Sequence, residues 1–131
     1  ARADLRFHLA YTLSKLFLHL DSDSTDSSRE SVFEEDIPRH QLHLRSMYDL
    51  SDRLALTTVL RFVDDLPGTS VPSYTALDMK MVWRMTDHLE IRVTGRNLLD
   101  PHHLEYGPST LLNTQITEIP RTLFGELVWA F

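Results

Sequence analysis

The stretch RTLFGELVWAF, residues 121–131, alternates between apolar residues and other residues up to its last position. Because successive side chains of a strand point to opposite sides, this alternation predicts a β-strand with one apolar face. That face would carry Leu123, Gly125, Leu127, Trp129 and Phe131. Most domains end in polar, poorly ordered residues, whereas this stretch keeps one apolar face. The first question is therefore which apolar surroundings that face meets.

The same period of two occurs in five further stretches, which cover residues 3–13, 41–50, 53–63, 76–83 and 89–97. None of their apolar-face positions carries a charge. Across the six strands, the opposite faces carry charged residues, which include Arg6, Arg45, Asp49, Arg61, Asp78, Lys80, Arg84, Glu90, Arg92, Arg96 and Glu126. Helical spacing is absent and the chain holds only 4 glycines. We therefore predict an all-β fold of six antiparallel, up-and-down strands.

Composition excludes several classes of protein. The net charge is −6, and the seven acidic residues and one arginine between residues 21 and 36 account for all of it. The other 12 acidic and 12 basic residues balance, so nothing indicates a nucleic-acid partner. There is no cysteine, which excludes disulfides and cysteine metal sites. No apolar run approaches the ~18–20 residues that a membrane helix needs.

The connections between the predicted strands are sorted by length. Tight turns at residues 50–53 and 85–88 would lie at one end of the sheet, and the longer segments 21–37, 64–72 and 101–118 at the other. A soluble sandwich has no physical reason to sort its connections in this way. Outer-membrane barrels do sort them, with short periplasmic turns and longer extracellular loops.

An internal repeat relates the strands that run in the same direction. Residues 48–65 (YDLSDRLALTTVLRFVDD) align with residues 83–100 (WRMTDHLEIRVTGRNLLD) at an offset of 35, and the strand at 121–131 is a third copy. The copies place aromatic residues on the apolar face near the tight-turn end, namely Tyr48, Trp83, Trp129 and Phe131. We interpret them as a periplasmic-side girdle at the boundary of hydrocarbon and water. The alternative is that the rings close the bottom of a soluble core.

Several segments together carry a family resemblance. They are VPSY (71–74) leading into Leu77-Asp78, the segment GRNLLD (95–100) and the aromatic strand 121–131. In this order and spacing, the chain resembles the C-terminal end of a TonB-dependent outer-membrane receptor. The resemblance implies a plugged barrel of about 22 strands in the bacterial outer membrane. Residues 1–131 would be the C-terminal segment of the barrel, with the plug domain and the remaining strands outside this sequence.

The resemblance also implies a function and partners. Such receptors take up a scarce nutrient, for example a ferric siderophore or a cobalamin, with energy delivered through the TonB complex. Residues Leu127, Trp129 and Phe131 are similar to the signal that the barrel-assembly machinery recognises. The segments 21–37, 64–72 and 101–118 would be the parts able to contact a small-molecule ligand, whose identity and binding residues the sequence does not give.

Charged residues on the opposite face are expected to line the lumen and to contact the plug or water. They are Arg45, Arg61, Asp78, Lys80, Arg84, Glu90, Arg92, Arg96 and Glu126. Burying so many charges in a dry interior would carry a large desolvation cost. The solvated face of an ordinary sheet predicts the same alternation.

Catalytic or metal chemistry has little support in the sequence, and we expect no enzyme, cofactor or metal site. His40 and His43 would point to opposite faces of a strand, and the segment 102–105 (HHLE) offers only a weak metal hypothesis. The acidic segment beginning at Asp21 lacks the glycine and the final glutamate of a calcium loop. Two alternatives stay open. One is another outer-membrane barrel, porin-like or a lipase, and the other is a soluble ligand-binding β-sandwich.

Overall fold

A computed structural model describes residues 3–17, 23, 37–100, 102–104 and 118–131. Its strands are β1 (Asp4–Leu13), β2 (His40–Ser51), β3 (Leu54–Val63), β4 (Tyr74–Arg84), β5 (Leu89–Arg96), β6 (His102–Leu104), β7 (Glu118–Pro120) and β8 (Thr122–Trp129). The six long strands form one antiparallel sheet in the order β1-β2-β3-β4-β5-β8. The predicted all-β, up-and-down fold is therefore confirmed.

The pairing register keeps the two faces of the sheet separate across all six strands. Leu9 pairs with Leu44, Leu44 with Leu60, and Leu60 with Leu77. The charged residues lie in the rows between these apolar rows; Arg92, for example, pairs with Glu126. A shift of one residue in any pair would move a strand's apolar set to the other side. The alternating pattern of each strand thus fixes its register against the next.

The two ends of the sheet differ, as the sequence predicts. At the tight-turn end, Asp52 and Arg53 alone join β2 to β3, and residues 85–88 join β4 to β5. A β-bulge between Asp49 and Ser51 precedes the first of these turns. At the loop end, the connection between β3 and β4 contains a 3₁₀ turn, Pro67–Thr69, closed by a bridge between Leu66 and Val71.

A second, two-stranded sheet was not predicted. Strands β6 and β7 pair antiparallel, with His103 opposite Ile119, at the borders of the segment 101–118 that we expected to be an extended loop. Each strand has three residues, which is too short for a period of two to be recognised. The pairing brings the two ends of the connection between β5 and β8 together at the loop end.

The described residues form almost no hydrophobic core. Only two hydrophobic side chains are fully buried among them, Val71 and Ala76. The six-stranded sheet is one layer, and the apolar faces of its outer strands β1 and β8 are exposed. Within the described part of the chain, no helix is long and apolar enough to cross a membrane.

Candidate functional site

The apolar face is the most unusual surface among the described residues. On β1, every side chain from Leu5 to Leu13 is exposed, with Phe7 62% and Leu9 68% accessible. On β8, the exposed fractions of Leu123 and Leu127 are 73% and 72%. Monomeric soluble proteins rarely expose contiguous apolar surface on this scale. The face is therefore a surface that meets another apolar phase or partner.

The apolar face has a defined height. On β1 it extends from Leu5 to Leu13, eight residue steps that span about 27 Å along the strand. At the loop end of this face, the Tyr11 hydroxyl lies 2.7 Å from His40 Nδ1 and the two rings stack.

The two histidines of β2 lie on opposite faces of the sheet, as the sequence predicts. His40 pairs with Leu13 on the apolar face, and His43 pairs with Ala10 on the polar face.

The aromatic residues near the tight-turn end follow an oblique line. Tyr48 pairs with Leu56, which in turn pairs with Met81. Trp83 lies two residues beyond Met81 toward the tight-turn end. From β2 to β4, the aromatic position therefore advances two residues across two strands, which is one residue for each strand.

The same step recurs between β4 and β8. Trp83 pairs with Ile91, which pairs with Leu127, and Trp129 lies two residues beyond Leu127. From one strand to the next, the aromatic position shifts by one residue, which is ~3.4 Å along the strand, while neighbouring strands lie ~4.8 Å apart. The line through the aromatic residues is therefore inclined by about 35° to the rows of paired residues. The three aromatic side chains thus lie on one straight, inclined line across five strands of the sheet.

The residues of the expected assembly signal lie at the sheet's β8 edge. Leu127 and Trp129 belong to the apolar face, because they pair with Ile91 and Leu89. Ala130 donates its backbone N–H to His88 O over 2.9 Å, and Phe131 is fully exposed. The side chains of all three predicted residues are open to a partner.

On the polar face, a chain of ion pairs lies near the tight-turn end. Arg92 Nε is 2.6 Å from Glu90 Oε1, and Arg92 Nη1 is 3.2 Å from Glu126 Oε2. Arg84 Nε reaches the other oxygen of Glu90 at 3.4 Å. Alternating charges on β4, β5 and β8 therefore satisfy one another across three strands. Because these pairs are partly exposed to solvent, each contributes only modestly to stability.

Away from this chain of ion pairs, the polar face has fewer contacts between opposite charges. Arg6 Nη2 binds Asp49 Oδ2 at 2.9 Å, and Arg61 Nη2 lies 3.5 Å from Asp78 Oδ2. Arg96 lies over the Phe124 ring, 5.8 Å from its centroid. All nine predicted lumen residues occupy this one face by register, and the group comprises Arg45, Arg61, Asp78, Lys80, Arg84, Glu90, Arg92, Arg96 and Glu126.

Two of the sequence segments that carry the resemblance meet at the loop end. Asn97, in the left-handed region with a φ of 52°, donates its backbone N–H to Asp78 Oδ1 over 2.9 Å. Its side-chain Nδ2 donates to Ile119 O, and Leu98 N donates to Leu77 O, both over 2.9 Å. Asparagine tolerates the left-handed region better than most residues. This segment therefore works as a turn that joins β4, β5 and β7.

The predicted ligand-contacting segments are described only in part. Residues 64–72 form the closed turn before β4, with Val71 buried, whereas most of 21–37 and 101–118 lies outside the described residues. His103 is buried and stacks on Tyr74 with ring centroids 4.2 Å apart. Among the described residues, no group of three or more potential metal ligands comes together. The weak metal hypothesis at 102–105 includes Glu105, which is not described.

Comparison with known proteins gives no relative. No family model matches the chain, and neither the curated proteins nor the solved structures contain a significant match. Functional inference therefore depends on the two faces of the sheet and on the geometry of its ends.

Proposed function

We propose that this chain forms part of the wall of a TonB-dependent outer-membrane receptor that imports a scarce nutrient, such as a ferric siderophore or a cobalamin. The observation that carries the proposal is the exposed apolar face, bordered by an inclined line of aromatic residues and backed by a charged face. The resemblance of the segments 71–78, 95–100 and 121–131 directs the proposal toward this family.

Bilayer dimensions support a lipid-facing role for the apolar face. Outer-membrane barrels carry an apolar band about 25 Å tall on strands tilted by about 35–45°. Here the band measures about 27 Å along β1, or about 22 Å in height at a tilt of 35°. Tyrosine and tryptophan favour the border between hydrocarbon and water, where Tyr48, Trp83 and Trp129 would then lie.

Strand tilt provides an independent argument. If the line through Tyr48, Trp83 and Trp129 lies parallel to the membrane surface, the strands are tilted by about 35°. This value agrees with the strand tilt of membrane barrels. A soluble sheet has no reason to place its aromatic residues on a line with this particular inclination.

Unpaired edges and charged residues fit the same proposal. β1 pairs only with β2, and β8 only with β5, among the described strands. An open edge in lipid leaves backbone groups without hydrogen-bond partners, so both edges would join further strands of a closed wall. The ion-paired face would then line a lumen that is wet or covered by a polar plug.

Single cysteines test which face meets lipid, because the chain has none of its own. A nitroxide attached to a cysteine introduced on the apolar face of β1, at Leu5 or Leu9, should collide more often with lipid-dissolved oxygen than with a water-soluble nickel chelate once the protein is reconstituted in a bilayer. Nitroxides at the alternate positions Arg6 and His8 should show the opposite preference. A β-sandwich buries the apolar positions, so neither relaxation reagent should reach a nitroxide there, and that result would contradict the proposal.

Transport is tested by deletion of the gene and measurement of iron and cobalamin uptake. We expect one of these uptakes to be lost, to return when the gene is restored, and to stop when a protonophore removes the proton gradient. Uptake that persists with the protonophore would indicate a passive, porin-like barrel instead.

A further inference from the structure

One corner of the polar face places histidines directly opposite its arginines, where the tight-turn end of that face places acidic residues. We name it the basic corner, and it consists of His8, His43, Arg45 and Arg61. His8 pairs directly with Arg45, and His43 with Arg61. Directly opposed residues have Cβ atoms about 4.5–5.5 Å apart, so the four side chains lie in one compact group on β1, β2 and β3.

Such pairs are unusual on this sheet. Near the tight-turn end, Arg92 is opposite Glu126 and Arg84 is opposite Glu90. In the basic corner, His8, His43 and Arg45 form no ion pair within the described part of the chain. Their arrangement is explained if a negatively charged group lies between them.

Arg61 has a buried side-chain donor without an acceptor in the described part of the chain, which is a second indication of an anion nearby. Its Nη2 atom is 3.5 Å from Asp78 Oδ2, but its Nε atom is buried and has no hydrogen-bond acceptor among the described residues. Leaving a buried donor unsatisfied costs free energy. Asp78 already accepts a hydrogen bond from Asn97 N, so its carboxylate is shared between two partners.

A cavity lies beside this group. Its volume is about 120 Å³ and its lining is mainly apolar. Thr12, Gln41, His43 and Arg61 contribute the polar part, and His8 and Arg45 lie outside the lining. This volume equals that of about four water molecules in the liquid. The planar guanidinium of arginine matches the two oxygens of a carboxylate or a phosphate. The hydroxyl, amide and imidazole groups can donate further hydrogen bonds.

We propose that the basic corner binds an oxyanion, a carboxylate or phosphate group of a small solute, between β1, β2 and β3. Arg61 would contact it from the cavity wall, and His43 and Gln41 would donate hydrogen bonds to it. Arg45, two residues from His43 on β2, would add positive charge beside the cavity. This inference does not depend on transport or on the membrane, because it uses only the polar face of the sheet.

Calorimetric titration of the detergent-purified protein with citrate and, separately, with pyrophosphate tests the inference. We expect saturable binding of one of these probes, and the preferred probe identifies the oxyanion as carboxylate or phosphate. Replacing one charged donor by Arg45→Gln or Arg61→Gln should weaken binding by about tenfold or more. Either variant alone is informative if its circular dichroism matches the parent protein.

Lys80→Gln is the matched control, because Lys80 lies on the same face beside Thr57 and Thr94, outside the basic corner. Its binding should match that of the parent protein. Equal losses in all three variants would indicate only a diffuse positive potential and would overturn the inference. The absence of saturable binding of both probes at millimolar concentration would overturn it as well. Neither result would alter the nitroxide accessibility pattern that tests lipid contact.

Discussion

At the scale of single residues, Gly95 shows how a small side chain permits a contact between neighbouring segments. Gly95 lies on the apolar face opposite Met79 and Leu123, and Leu98 folds back over it. A Cβ atom at residue 95 would lie 2.8 Å from Leu98 Cδ2 and 3.3 Å from Leu98 Cγ. The alternating pattern placed Gly95 on the correct face. It could not reveal the contact, which depends on the left-handed turn at Asn97.

Gly95→Ala should destabilise the protein by about 1 kcal/mol, because the new methyl group must displace the Leu98 side chain. Thermal unfolding in detergent measures the loss. The matched control is Gly125→Ala on β8, where the nearest atom to a new Cβ is Arg92 O at 3.9 Å. Since alanine is favoured over glycine in a strand that has room for it, this variant should be neutral or slightly stabilising.

A double-mutant cycle identifies the cause of the loss. If Leu98 is the group displaced, Leu98→Ala should remove most of the penalty of Gly95→Ala, so the two changes are not additive. Additive losses, or equal effects of alanine at Gly95 and Gly125, would contradict this explanation.

At the scale of strands, the sequence predicted the six long elements because each alternates over eight or more residues. It also predicted their faces, since one apolar side per strand leaves a single acceptable register. The strands β6 and β7 were missed, because three residues are too few to show a period. The bulge after Asp49 was missed because it depends on how β2 enters its turn and not on composition.

The lipid-facing role proposed for these strands predicts the effect of a charge at Leu44, in the middle of β2 between Leu9 and Leu60. Leu44→Arg should block assembly into the outer membrane, since arginine on the lipid face near the midplane costs ~2–4 kcal/mol. Heat-modifiable migration of the protein in gels of the membrane fraction measures assembly.

The control places the same residue on the other face. Thr57 lies on the polar face, opposite Met47 and Lys80, so Thr57→Arg should assemble. Its like-charge contact with Lys80 costs less than about 1 kcal/mol. Normal assembly of Leu44→Arg, or equal failure of both variants, would contradict a lipid-facing apolar side.

At the scale of the whole molecule, the repeat and the register together contain information that neither has alone. The repeat identifies Tyr48, Trp83 and Trp129 as equivalent positions, but the sequence does not give their relative heights. The register supplies the missing quantity, an advance of one residue for each strand. The inclination of about 35° follows only when both are combined. The basic corner likewise required the register, because its four residues come from three strands.

The inclined line predicts equal membrane depths for the chain's 2 tryptophans. Trp83→Phe and Trp129→Phe each leave one tryptophan within residues 1–131, and quenching by lipids brominated at different positions along their chains, relative to the variant that lacks both, measures its depth. We expect both rings at the same level, near the border of the hydrocarbon. If the strands instead ran parallel to the membrane normal, Trp129 would lie further toward the tight-turn end by two residues, or about 7 Å. A difference of that size would refute the tilt, and a lack of quenching of both rings would refute lipid contact itself.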